Sequence, residues 1–448
     1  MLLDRLQTEQ GARDAATASF ELMKALYPIC RSITGNGVRK TLDLVEQVVP
    51  LQRTEVPSGT QVFDWEVPRE WNIREAYIAD QTGKRLVDFH AHNLHVVNYS
   101  TPVHRRMSLD ELQPHLHSLP DRPDWIPYRT SYYREQWGFC LRHRDRECLE
   151  SGPFDVVIDS DLREGHLTYA ECAVAGTTPE TCIVHTHVCH PSLANDNLTG
   201  IAIAAALARD LRSESPRAEW RFVFSPGTIG SLTWLSRNEP QLARVRGGLV
   251  IGLLGDPGPM TYKRSRRGAT TTDRVAEYVL RNSTASEPRI LDFEPYGYDE
   301  RQFCSPGFDL AVGRLTRSPN GAYPEYHTSA DDLSLVRHEK MAESIRILAR
   351  MIAILDSNRR VLNLSPKGEP RLGKRGLYGN VGGNAPAQFE QALLWILSLA
   401  DGTHDLLAAA ERSGLPFELI NQAATALEQT GLVRTLTESS TNQQRSLQ

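Results

Sequence analysis

The sequence predicts an α/β protein in which a largely parallel sheet is flanked by helices, interrupted by a β-rich insertion and followed by a winged helix. Three observations predict it. Between residues 154 and 355, strand-like apolar runs alternate with helical ones, the pattern of a parallel sheet covered by helices. From 54 to 99, short alternating runs separated by Pro68 and the turn Asp80-Gln81-Thr82-Gly83 have meander texture. Beyond a linker at 365–383, rich in Gly, Pro and charge, come three helical runs and a short strand.

The elements follow in order. Residues 15–26 carry Phe20, Met23 and Leu26 near one helical face, and a glycine-rich turn at 34–37 leads to a second helix at 38–49, with Leu42, Val45 and Val49 in phase. The β-rich unit is read from runs at 62–65, 72–78, 86–89 and 94–99, and the proline-rich stretch 102–127 as irregular. Strands of the main sheet are expected at 154–158, 182–187, 220–224, 249–254 and 310–312. Its helices are expected at 198–211, 232–238, 273–281 and 339–355. The C-terminal module is expected to hold helices at 388–399, 403–412 and 417–429, a strand at 432–436 and a frayed polar tail at 437–448. The expected domains are therefore 1–55 with 150–362, an insertion at 56–149, and a winged helix at 384–438.

Composition excludes more than it assigns. The 448 residues carry 50 basic and 55 acidic side chains, a net charge of −5, too mild for a protein built mainly to bind nucleic acid or acidic membranes. No apolar run approaches membrane-spanning length, and MLLDRLQTEQGARD has no apolar segment of the kind found in signal peptides. Seven scattered cysteines without a CxxC pair argue against a disulfide framework and suit a reducing cytoplasm. Within 388–436 only Arg412 and Arg434 are basic, against Glu390, Asp401, Asp405, Glu411, Glu418 and Glu428. Such a winged helix repels a phosphate backbone, so it is expected to serve protein contact, packing or self-association.

The densest chemical signal is His185-Thr-His187-Val-Cys189-His190-Pro-Ser-Leu-Ala-Asn195-Asp196-Asn197-Leu-Thr-Gly200, at the end of one predicted strand and the start of a helix. Ligands in open α/β sheets gather at the carboxyl ends of strands. Imidazoles and a carboxylate from adjoining turns suit a divalent metal, zinc most naturally. Asn195, Asp196 and Asn197 are also good helix caps. One segment holds a metal weakly, so a distal ligand is expected: His327, in Tyr326-His327-Thr328-Ser329-Ala330-Asp331-Asp332, with the nearby acids orienting its ring. His90, His92 and His95 lack acidic or cysteine partners at ligand spacing and are read as hydrogen-bonded or exposed.

HTHVCHPSLANDNLTG followed far downstream by YHTSADDL resembles the co-catalytic zinc aminopeptidases. YPICRSITGNGVRKTL, FDWEVPREWNIREAYI, IPYRTSYYREQWGFCL, SPGTIGSLTWLSRN and GYDERQFCSPGFDL resemble more closely a bacterial aminopeptidase-like group associated with polysaccharide or natural-product biosynthesis. The resemblance implies a phosphorylase/hydrolase-like zinc-exopeptidase sheet with an inserted β-rich domain and a C-terminal winged helix. It places His187 on the first zinc ligand, Asp196 on the metal-bridging aspartate and His327 on the last ligand. Cys189 stands where the family has an aspartate supporting that first histidine. His190 is an alternative ligand that spacing does not separate from His187.

The departures shape the expected chemistry. Gly227-Thr228 stands where the family carries Glu-Glu, and only Asp256 approaches the place of a further ligand aspartate. One zinc ion is therefore expected rather than two. Glu300 or Asp299 is the expected replacement base, with Arg301, Tyr326 and the cluster running from Lys263 to Arg267 as substrate contacts. The expected activity is hydrolysis of an amide bond in a peptide or amino-acid conjugate. The alternatives are metal-dependent hydrolysis of a non-peptide N-acyl metabolite, and a binding scaffold on a decayed peptidase fold.

Overall fold

After a single helical turn at Asp4–Gln7, the helices α1 (Glu9–Leu26) and α2 (Asn36–Glu46) begin the computed structural model, which describes residues 1–284, 286–377 and 388–436. Thr8 caps α1 by accepting from the Gly11 N–H, one of the donors a helix start leaves without a partner. The chain forms two compact units, Leu2–Arg350 and Met351–Gln448.

In the first unit, β1 (Gln52–Pro57) is followed by β2 (Glu70–Ala79), β3 (Arg85–Asp88), β4 (Val103–Met107) and β5 (Phe154–Arg163). The last four form an antiparallel sheet in the order β3-β2-β5-β4. The strand expected at 154–158 in the main sheet lies in this second sheet instead. Phe154–Arg163 alternates buried and partly exposed residues, as a strand with one covered face does, and pairs with Glu70–Ala79 rather than opening the main sheet. The run at 94–99 is no strand either; a 3-10 turn occupies Asn93–His95.

The main sheet comprises β1 together with β6 (His166–Val174), β7 (Thr181–His187), β8 (Glu219–Ser225), β9 (Val245–Ile251), β10 (Thr261–Lys263), β11 (Arg289–Leu291) and β12 (Val312–Thr316). Its order is β1-β6-β8-β7-β9-β12-β10-β11. The central strands β8, β7, β9 and β12 are mutually parallel, whereas β6 and β10 join antiparallel at the flanks. Every residue of β7 is buried, which suits a parallel strand covered on both faces. The helices between the strands are α3 (Thr199–Leu211), α4 (Ile229–Asn238), α5 (Thr271–Ser283), α6 (Glu300–Phe303) and α7 (His338–Ser357). Ile183, Val223, Val250, Val312, Trp234 and Phe303 share one core with Trp71 and Tyr99, so the segment between β1 and β6 is packed onto the sheet. Complete burial of a side chain such as Phe303 contributes roughly 1.5–3 kcal/mol.

In the second unit, β13 (Arg360–Asn363) pairs antiparallel with both β14 (Asp401–Asp405) and β15 (Val433–Thr435), and so belongs to the C-terminal module rather than ending the catalytic domain at 362. The three helices are α8 (Gln388–Leu399), α9 (Leu406–Ser413) and α10 (Phe417–Gln429). Residues 403–405, expected as helix, are strand; Asp405 caps α9 by accepting from the Ala408 N–H and so sets the helix start. Arg359 ties the module together, donating to Asn421, Glu428 and Thr435. The predicted tail 437–448 and the linker positions from 378 lie outside the described residues.

Candidate metal centre

His187 is the last residue of β7, at the carboxyl edge of the parallel strands. Asp196 lies in the turn Ala194–Leu198 that leads into α3. The Asp196 carboxylate spans two imidazoles: Oδ1 is 2.8 Å from His187 Nε2 and Oδ2 is 3.0 Å from His327 Nε2, although His327 is 131 residues away in sequence. His190 Nδ1 stands 3.6 Å from the same Oδ1, buried and without a hydrogen-bond partner. Ligand atoms of His187, His190 and Asp196 all fall within 4.8 Å of one another, and no other such group occurs among the described residues. His327 reaches the carboxylate from its other oxygen.

The electrostatics suit a cation. Burial opposes ionisation of Asp196, but His190, His187 and His327 outweigh it and hold the carboxyl well below its usual range. Burial lowers His190 to about 3 and also lowers His187, each against the pull of Asp196. The site thus offers an ionised carboxylate beside the neutral imidazoles of His187 and His190, the protonation states a metal requires.

A surrounding shell fixes these groups. The Asn197 amide donates to Thr186 Oγ1 at 2.8 Å, to the His187 carbonyl at 3.1 Å and to His187 Nδ1 at 3.3 Å, which leaves Nε2 facing Asp196. None of Asn195, Asp196 and Asn197 supplies a side-chain cap to α3. Asp331, expected to orient His327, instead accepts from the backbone N–H groups of Asn195 at 2.6 Å and Asp196 at 3.1 Å. Asp256 accepts from the Asn195 amide at 3.1 Å and from Ser318 Oγ at 2.6 Å, so it braces the loop and does not join the cluster.

Aromatic rings enclose the imidazoles. Tyr326 stacks on His327 with centroids 3.9 Å apart, Tyr298 lies 4.0 Å from His187, and Tyr128 meets His190 and His327 edge-on at 5.3 and 5.1 Å. Tyr128 lies just past the proline-rich stretch, within IPYRTSYYREQWGFCL, a segment that carries the family resemblance but is not marked as part of a site. Its N–H donates to the His327 carbonyl at 2.8 Å, while Ser329 and Ile126 exchange two further bonds. A cavity of about 640 Å³, lined in part by Arg122, Tyr128, Arg129, Tyr323 and Tyr326, opens onto His327.

Where the resembled family carries Glu-Glu, the chain has filled the space differently. A Cβ on Gly227 would lie 2.3 Å from the Tyr298 ring, so the tyrosine takes the volume that a side chain at 227 would need. Tyr298 Oη is 3.4 Å from Cys189 Sγ. Burial pushes the Cys189 thiol up to about 12, so it is neutral and does not supply the negative charge of an aspartate at that place.

The remaining expected residues divide. Glu300 is buried and occupied: Oε1 is 2.5 Å from Lys263 Nζ, and its oxygens accept from the Tyr298 N–H at 3.1 and 3.2 Å. Asp299 is buried, accepts from Ser231 Oγ at 2.7 Å and leaves Oδ2 unpartnered, 3.7 Å from His185 Nδ1. Burial raises Asp299 to about 7. Arg301 is half-buried with an unpartnered Nε. Arg264 pairs with Glu277 and Asp292, and Arg266 and Arg267 lie beside Asp309, so this part of the basic cluster is spent on surface pairs. His92 Nδ1 accepts from the Leu94 N–H and His95 Nδ1 lies 2.8 Å from the Cys140 carbonyl, so both rings have local partners. Arg314, buried on β12, carried no motif in the sequence and emerges only from the sheet register.

The fold and the imidazole–carboxylate cluster define an aminopeptidase-like α/β protein with a C-terminal winged helix. The chain belongs to the family described as Domain of unknown function (DUF4910), whose model matches residues 20–358, and residues 359–435 match a winged helix-turn-helix model. It is 46% identical over 426 residues to a Clostridium acetobutylicum protein named for polysaccharide biosynthesis and an aminopeptidase-like domain, covering 95% of this chain and 98% of that one. A crystal structure from the same organism, provisionally named a peptidase, matches with TM-score 0.89 and 44% identity over 96% of this chain and 98% of that chain. The zinc aminopeptidase BSAP from Bacillus subtilis shares the fold at TM-score 0.56 and 12% identity, covering 77% of this chain and 95% of its own. No described helix is long and apolar enough to cross a membrane.

Proposed function

We propose that the protein is a zinc-dependent, aminopeptidase-like hydrolase that cleaves an amide bond of a peptide or amino-acid conjugate, in a biosynthetic setting and in the cytoplasm. The observation that carries this reading is the Asp196 carboxylate shared between His187 and His327, with the orphaned Nδ1 of His190 turned toward it. An unpartnered buried imidazole nitrogen beside an ionised carboxylate is costly unless something binds there. His187, His190, Asp196 and His327 would hold one ion, since no Glu-Glu pair is present to complete a second. When bound, zinc supplies Lewis acidity toward a carbonyl and brings the pKa of a bound water towards ~7.

The chain's own residues do the rest. Tyr326 and Tyr128 wall the cavity and orient the acyl group against His327. Hydrolysis adds water's oxygen to the acyl carbon, breaks the C–N bond and delivers a proton to the departing nitrogen. Asp299 is the better proton carrier of the two acids, because Glu300 has both oxygens engaged whereas Asp299 keeps one free. The free buried thiols suit the reducing compartment.

Metal analysis of the purified protein, followed by a panel of aminoacyl anilides and N-acyl sugars, tests this. One zinc per chain and turnover of anilides with a free α-amine are expected, and His327→Ala loses both. Turnover of N-acyl sugars alone would favour the alternative suggested by the relative's name, hydrolysis of a non-peptide N-acyl metabolite. A chain without metal or turnover would favour a binding scaffold, the reading that the Gly227–Tyr298 replacement supports.

A further inference from the structure

We propose that Arg122 and Arg129, in the wall of the cavity that opens onto His327, bind the terminal carboxylate of the substrate, so that the hydrolase takes short conjugates ending in a free acid. The proposal rests on the hydrolase reading and narrows its substrate class. The cations that the sequence suggested for such a group are occupied. Lys263 pairs with Glu300, and Arg264, Arg266 and Arg267 lie beside Glu277, Asp292 and Asp309. The cavity supplies two others. Arg122 and Arg129 line it together with Tyr128, Tyr326 and His327, and the one acid in its wall is Asp121.

Arg122 is half-buried and held in a fixed orientation. Its Nη1 donates to the Pro324 carbonyl at 2.6 Å, and its guanidinium carbon lies 4.6 Å from the centroid of the Trp125 ring. Those contacts use one nitrogen and leave the Nε and Nη2 donors for a ligand. Pro324 stands three residues before His327, so one loop carries both the anchor of the fork and the proposed metal ligand. Arg129 follows Tyr128, whose N–H donates to the His327 carbonyl at 2.8 Å. The Arg129 side chain is exposed and makes no hydrogen bond or ion pair among the described residues. Asp124, close to Arg122 in sequence, is taken by Arg144.

Two guanidinium charges against Asp121 leave this wall with a single excess positive charge. One carboxylate balances it, whereas a phosphate dianion overshoots, and a guanidinium presents a planar fork matched to two carboxylate oxygens. Size points the same way. A volume of about 640 Å³ is roughly 9 Å on a side, and an extended residue spans roughly 3.3–3.6 Å, so the cavity has room for about two residues. A chain that short brings its terminal carboxylate inside the cavity. Leu119 and Pro127 add apolar wall for the side chain of the residue that bears the acid.

The test uses the full chain as purified with zinc, with N-acetylleucine, N-acetylleucinamide and inorganic phosphate as probes at matched ionic strength. Titration calorimetry should show the acid binding about tenfold or more tightly than the carboxamide or phosphate. Arg122→Gln should bind the acid about tenfold more weakly than the wild type, with zinc content unchanged. Arg122 also holds Pro324, so Arg129→Gln, which breaks no side-chain contact, is the second variant. It should weaken acid binding about two- to fivefold, and the difference should fade at high salt. With leucylleucine and leucylleucinamide as substrates, both variants should raise KM for the acid alone. Equal affinity of the wild type for acid and carboxamide, tighter binding of phosphate, or acid binding undiminished in both variants overturns the proposal. The expected binding pattern in a chain without zinc or turnover would defeat the hydrolase reading and leave the carboxylate site standing.

Discussion

The backbone N–H of Tyr128 donates to the carbonyl of His327 at 2.8 Å, while its ring meets the His327 imidazole edge-on at 5.1 Å. His327 has φ of +55°, a left-handed conformation that costs a non-glycine residue on the order of 1 kcal/mol or more. The segment around Tyr128 holds it there. A residue far away in sequence thus holds His327 in place, and the imidazole–carboxylate cluster depends on a clamp outside both of its own motifs.

Weakening that clamp should loosen metal binding without touching a ligand. Ser329 Oγ accepts from the Ile126 N–H at 2.9 Å. Ser329→Ala removes this acceptor and is expected to cost about 1–3 kcal/mol. Denaturant titration measures the cost, and zinc competition with a chelator should show weaker retention than in the wild type. Unchanged retention would separate the clamp from the metal.

Asp196 touches His187 and His327 at once, so its loss is expected to be worse than that of His190, which approaches only one of its oxygens. Asp196→Asn should abolish stoichiometric zinc, whereas His190→Ala should leave residual binding. Elemental analysis of chains purified in parallel decides between these outcomes.

Asp299 offers a pH signature. Burial raises its folded pKa to about 7, against roughly 3.9 in the unfolded chain. A raised acid favours the protonated folded state, so its contribution is fully present below about pH 4 and is lost as pH rises to about 7. Asp299→Asn should remove this slope. Chemical denaturation at pH 5 and pH 8 should show a wild-type loss on the order of a few kcal/mol that the variant lacks.

Gly227 and Tyr298 should behave as a pair. A methyl group at 227 meets the tyrosine ring at 2.3 Å, so Gly227→Ala is expected to destabilise by about 1–3 kcal/mol or more. Introduced into Tyr298→Ala, the same change should cost markedly less. A double-mutant cycle in thermal unfolding reads the coupling, and simple additivity would contradict the packing account.

Much of this was legible in the chain itself. The alternation that marks β7, β8, β9 and α3 is local, because periodicity registers burial along a single element. The pairing of HTHVCH with YHTSADD was legible because the residue types declare their chemistry, and the structure brings His187, His190, Asp196 and His327 together. Phe154–Arg163 was misplaced because a strand's pattern states that one face is covered without stating by which sheet.

The sequence by itself determined the α/β class, the C-terminal helices and the imidazole-and-carboxylate character of the centre, since side-chain identity and near-neighbour periodicity carry those. Only the tertiary structure decided that Tyr298 fills the space at Gly227 and that Asp331 braces the Asp196 backbone. Those relationships join residues from separate strands and loops, and they arise from distances that exist only once the sheet has set its register.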